Sequence, residues 1–81
     1  MSNELIQYRY DTLASLYWIP CTIKELNQRD FCSHLPEWYL FDILNCLKRD
    51  GLVIERKDGV WKVVKGKTGI ELKKRGYEID D

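Results

Sequence analysis

Eighty-one residues make one domain spanning residues 1–81 and leave no room for a second. Apolar residues form 44% of the chain, enough for one core, and no apolar run approaches the ~20 residues that a membrane crossing needs. Thirteen Lys and Arg cancel thirteen Asp and Glu, which excludes a global field that would gather polyanions.

The polar start, Met1 to Glu4, is followed by no apolar stretch of secretory type, so a cytoplasmic protein is expected. From Asn3 to Tyr17, the residues Ile6, Tyr10, Leu13 and Leu16 recur at three or four positions, the period of one helical face. Pro20 lacks an amide donor and turns Ile19 away from helix, so this first helix ends there.

Thr22-Ile23-Lys24-Glu25 has the T-x-x-E form of a capping box. It opens a short second helix, ending near Gln28, with Ile23 and Leu26 on one face. A long link runs from Gln28 to Leu35, and Phe31 and Leu35 are expected to pin it to the core.

Pro36 suits the first turn of a third helix, along which Leu40, Ile43, Leu44 and Leu47 make an apolar stripe. Lys48 and Arg49 complement the dipole in its last turn. Gly51 supplies a left-handed stop, with Leu52 folding back on Leu47. Leu52–Arg56 and Val60–Val64 read as two strands, and Asp58-Gly59 favours the positive dihedrals of a tight hairpin turn. A short last helix is expected to be capped by Thr68, to bury Ile70 and Leu72, and to stop at Gly76, with Tyr77 and Ile79 returning to the core.

Charge is uneven along this order. Residues 1–50 hold five Lys or Arg against seven Asp or Glu. Residues 56–75 hold eight basic side chains against Asp58 and Glu71.

The run Ile43-Leu44-Asn45-Cys46-Leu47-Lys48-Arg49-Asp50-Gly51-Leu52-Val53 resembles the end of a recognition helix entering the first wing strand of a winged helix-turn-helix domain. Val60 to Lys65 is similar to the return strand of such a wing, and Thr68-Gly69 to the start of its closing helix. The resemblance implies an α+β, mostly helical fold of three helices, a two-stranded β-hairpin wing and a short C-terminal helix. It also implies double-stranded DNA as partner and transcriptional regulation as task.

Opposite the apolar stripe, the third helix carries Trp38, Phe41, Asp42, Asn45 and Arg49. Asn45 and Arg49 have the chemistry to read adenine and guanine edges. With Lys48 they form the expected helical DNA contacts, and Arg56, Lys57 and Lys62 form those of the hairpin. A charged hairpin is equally a device that keeps an edge strand from aggregating.

Trp38, Phe41 and Asp42 suit a dry protein contact better, which makes a protein-interaction module the alternative. Each also has a plainer reading. Trp38 could cover the core against the first helix, Phe41 could pack on Ile23 or Leu26, and Asp42 could pair with a nearby cation. Trp61 is expected in the core. Tyr8, Tyr10 and Tyr17 offer a homodimer surface on the first helix.

Cys21, Cys32 and Cys46 match no paired zinc spacing, so reduced thiols are expected, with Cys46 half-buried. Cys32 and His34, with Cys21 upstream, are the nearest approach to a metal set, and no metal or other cofactor is expected. His34 lacks a Ser or Asp constellation, and no phosphate loop, HExxH, GxSxG or carboxylate pair occurs, so no enzyme is expected.

Overall fold

The computed structural model describes residues 3–29 and 33–79. Four helices and one hairpin follow in the order α1 (Asn3–Trp18), α2 (Ile23–Asn27), α3 (Glu37–Arg49), β1 (Val53–Glu55), β2 (Trp61–Val63) and α4 (Lys65–Lys74). The fold is therefore α+β and mostly helical. No described helix is long and apolar enough to cross a membrane.

α1 contributes Leu13, Leu16 and Tyr17 to the core and buries Thr12, whose hydroxyl donates to the Tyr8 carbonyl at 2.7 Å. Its C-terminal carbonyls are closed from outside. The Arg29 guanidinium donates to the Ser15 carbonyl at 3.0 Å, to the Ile19 carbonyl at 3.1 Å and to the Ser15 hydroxyl. A cation at a helix C-terminus also meets the dipole favourably. Nothing in the local spacing pointed to this cap.

The capping box of α2 forms as the residues dictate. The Glu25 amide donates to Thr22 Oγ1 at 3.2 Å, and the Thr22 amide donates to Glu25 Oε1 at 3.0 Å. Asn27 Nδ2 donates to the Leu35 carbonyl at 2.7 Å, and Leu35 packs half-buried on the core, tying down the long link. Phe31 lies outside the described residues.

α3 buries Leu40, Ile43, Leu44 and Leu47, the stripe its spacing predicts. Pro36 stands one step earlier than expected, as the N-cap rather than inside the helix. The C-terminus closes as a Schellman motif. Gly51, at φ +79°, donates to the Lys48 carbonyl at 3.0 Å, and the Leu52 amide donates to the Leu47 carbonyl at 3.0 Å. This turn delivers the chain straight into β1.

β1 and β2 pair antiparallel with Val53 opposite Val63, Ile54 opposite Lys62 and Glu55 opposite Trp61. Val53 and Val63 face the core, while Ile54 and Lys62 face outward. The connecting turn differs from the expected one. Gly59 takes a positive φ of 83° but Asp58 does not, and Arg56 pairs with Val60 across a three-residue loop. Cys21 adds a one-residue bridge on the far edge of β2. Trp61 N donates to its carbonyl at 2.8 Å and Cys21 N donates back at 3.2 Å.

The start of α4 corrects the expected cap. The helix begins at Lys65, after Val64, and Thr68 is buried within it. Its hydroxyl donates to the Leu52 carbonyl at 2.6 Å, clamping α4 to the foot of the hairpin. Leu72 is fully buried, but Ile70 points outward instead of into the core. Gly76 ends the helix at φ +92°, and Tyr77 and Ile79 return to the core.

Candidate functional site

The outward ridge of α3 and the hairpin that follows it form one continuous surface. At ~100° per residue the buried stripe leaves Trp38, Asp42, Asn45 and Arg49 on the far side, with Phe41 and Lys48 on the flank toward the hairpin. Asp42, Asn45, Cys46, Lys48 and Arg49 line a shallow depression there. Cys46 is exposed, not half-buried.

The six residues expected to touch DNA divide into two groups. Arg49, Lys57 and Lys62 are exposed and form no ion pair with any described residue, and Asn45 is half-buried on the same ridge. Lys48 is drawn to the hairpin instead. Its Nζ lies 4.0 Å from Glu55 Oε1 and 6.0 Å from the centre of the Trp61 ring. Arg56 is held by Asp58 at 2.9 Å, within the same turn. Both pairs are exposed, so each is a weak tie, worth about 0–1 kcal/mol.

The basic stretch does not form one band. Lys67 Nζ donates to the Asp50 carbonyl at 2.8 Å. Arg75 lies 4.7 Å from the centre of the Tyr10 ring, and Lys74 sits 3.8 Å from Glu71. Arg75 and Lys74 thus face α1 or their own helix, while Lys67 is spent on the C-terminal end of α3.

The three residues expected to meet a protein are all exposed. Trp38 is 67% exposed and, among the described residues, stacks edge-to-face with its neighbour Tyr39 alone, so it does not cover the core against α1. Phe41 is 44% exposed and sets its ring edge-on to Trp61, with Ile23 beside it. Leu26 is fully buried in the core. Asp42 pairs with no described cation, against the plainer reading of that residue. Thr22, Ile23, Trp38, Phe41 and Trp61 make an apolar groove, bordered by Lys24, Glu37 and Glu55.

Trp61 holds this surface together. It is 1% exposed, its backbone carries the Cys21 bridge, and its ring supports Phe41 and Lys48. The alternation of β2 pointed to its burial. No local pattern revealed that Cys21 would pair with it.

The tyrosines of α1 are committed internally. Tyr17 is buried, Tyr8 shares a hydrogen bond with His34 Nε2 at 3.1 Å, and Tyr10 lies under Arg75. Of the three tyrosines expected to offer a homodimer surface, Tyr17 is therefore buried and Tyr8 and Tyr10 are half-buried. Among the described residues no group of three His, Cys, Asp or Glu is arranged to hold a metal ion, and Cys32 lies outside those residues. Burial pushes the Cys21 thiol up from its ordinary range, with the Arg29 charge opposing. Comparison with family models, curated proteins and solved structures finds no match for this chain.

Proposed function

We propose that the chain is a small winged helix-turn-helix protein that binds double-stranded DNA and regulates transcription. In this reading α3 is the recognition helix, β1 and β2 are the wing, and α4 closes the core behind them. The observation that carries it is the placement of Arg49, Lys57 and Lys62. All three are exposed, lack ion pairs among the described residues, and sit on the ridge of α3 and the hairpin it runs into.

Asn45 and Arg49 then face base edges, adenine and guanine respectively. Lys57 and Lys62 meet phosphates. Lys48 and Arg56 join them by giving up exposed ion pairs, at little cost. With zero net charge, affinity rests on these local cations and falls steeply with salt. The test is fluorescence anisotropy of labelled duplexes over a range of KCl. Each phosphate neutralised contributes about 0.9 to the slope of log affinity against log salt. Absence of binding at ~50 mM salt, or a slope near zero, overturns the reading.

A second reading, a protein-interaction module, is favoured by one specific observation. The half of α3 nearest its start exposes Trp38 and Phe41 beside Asp42, which pairs with no described cation, a poor surface for phosphates and a good one for a dry contact. Trp38→Ala separates the two. It leaves duplex affinity within about twofold if only the cations bind DNA, and abolishes partner binding if the groove is the site.

A further inference from the structure

Two cations that belong to neither the ridge of α3 nor the hairpin converge on the residue that ends α3. Arg9, on α1, donates from Nη2 to Asp50 Oδ2 at 2.6 Å. Lys67, on α4, donates from Nζ to the Asp50 carbonyl at 2.8 Å. Arg9, Asp50 and Lys67 all line one cleft between α1, α4 and the end of α3, together with Leu13, Leu47 and Leu52.

A carboxylate is an unfavourable choice at that place. Asp50 is the C-cap of α3, where the helix dipole already presents about half a negative charge. Its side chain is 52% exposed, and it follows Arg49 directly in the chain. Consecutive Cα atoms lie ~3.8 Å apart, well inside the ~8 Å Debye length at physiological salt. Uncovered, this carboxylate would offset the positive field that Lys48 and Arg49 present to a duplex.

We infer that Arg9 and Lys67 support duplex binding without touching the duplex, by cancelling the negative charge at the end of the recognition helix. This rests on the DNA reading above and names how its site is tuned. What sets Arg9 apart is its position. Glu55 and Asp58, also paired on this surface, are held by Lys48 and Arg56, which are themselves expected DNA contacts. A phosphate that recruits those cations frees their acids. Arg9 comes from α1 and its side chain is only 22% exposed, so it stays on Asp50 when the duplex is bound.

Anisotropy of a labelled duplex at ~50 mM KCl separates this role from a structural one, with circular dichroism confirming that each variant is folded. Arg9→Gln uncovers the carboxylate and should weaken binding about three- to fivefold, and Lys67→Met should weaken it by at least about twofold. Asp50→Asn breaks the same ion pair yet should tighten binding about two- to fivefold, because the Arg9 charge is then uncompensated. Arg9→Gln with Asp50→Asn should return to within about twofold of the unmodified chain. Arg9→Gln with Glu78→Gln restores the same net charge at an exposed residue beyond α4, and should stay weak. Weakening by both Arg9→Gln and Asp50→Asn overturns the inference, because the ion pair would then act as a structural tie. Unchanged affinity in Arg9→Gln or Lys67→Met overturns it too, as does full recovery with Glu78→Gln. Each of these failures leaves the DNA reading standing, since the unmodified chain still binds. An unmodified chain that binds no duplex removes both.

Discussion

The hairpin and α4 carry the two halves of one basic stretch, and the fold uses them differently. Lys57 and Lys62 project from the hairpin without ion pairs to any described residue. On α4, Lys67 closes onto the Asp50 carbonyl, Arg75 covers Tyr10 and Lys74 meets Glu71. A count of charges along the chain merges these two groups. The lesson is that a cation is available to a partner only when its own fold has not already engaged it.

The largest effect that separates the two regions is on stability. Leu72 is fully buried where α4 meets the core. Leu72→Ala should cost about 2–5 kcal/mol in urea denaturation, while Lys57→Glu with Lys62→Glu should shift stability by no more than ~0.5 kcal/mol. Equal losses from both would erase the distinction.

The next effect runs the other way. The hairpin double variant should lower duplex affinity at least tenfold and reduce the salt slope by about two. Lys74→Glu, on α4, should leave affinity within about twofold, since its charge faces its own helix. Anisotropy titrations at fixed salt compare them directly, and a matching loss from Lys74→Glu would mean that the basic stretch acts as one band.

A smaller effect concerns the clamp between the regions. Leu52 accepts from both Thr68 Oγ1 and the Val64 amide, at 2.6 and 2.9 Å. Thr68→Val removes one donor and leaves the other, so a loss of about 1 kcal/mol is expected rather than the full penalty of an orphaned carbonyl. A loss above ~3 kcal/mol in the same denaturation assay would mean that Thr68 organises more than this one contact.

What could be read before folding follows the range of each signal. The stretch from Pro36 to Val63 was legible because its cues are local: the leucine stripe of α3, the glycine stop at Gly51, and the alternation that buries Trp61. The capping box of Thr22 and Glu25 is local too. The misses depend on distant partners. Arg29 closes α1 across the Pro20 turn, Cys21 pairs with Trp61 forty residues later, and Thr68 bonds to Leu52 instead of capping its own helix. The candidate site shows the same division. Helical spacing put Asn45 and Arg49 on the outer ridge, but only the packed hairpin shows that Lys48 and Arg56 are engaged while Lys57 and Lys62 are not.

The last way to sharpen the comparison is at the end of α4, where Tyr77 ties the chain back to α1. Its hydroxyl donates to Asp11 Oδ1 at 2.7 Å and accepts from Gln7 Nε2 at 3.2 Å. Burial, and then the hydrogen bond and charge of Asp11, raise its pKa to about 12. The folded state therefore prefers the neutral phenol more than the unfolded chain does, whose tyrosines ionise near ~10. Tyr77 contributes its full stabilisation below pH ~10 and loses it as pH climbs through the folded value. Carbon-13 spectra of the tyrosine ring carbons should show one of the five tyrosines titrating last. Tyr77→Phe should remove that late signal, and Asp11→Asn should bring it down toward the others. If the late signal persists in Tyr77→Phe, the tie between α4 and α1 is not held by this hydroxyl, and the account of α4 as internally committed loses its C-terminal anchor.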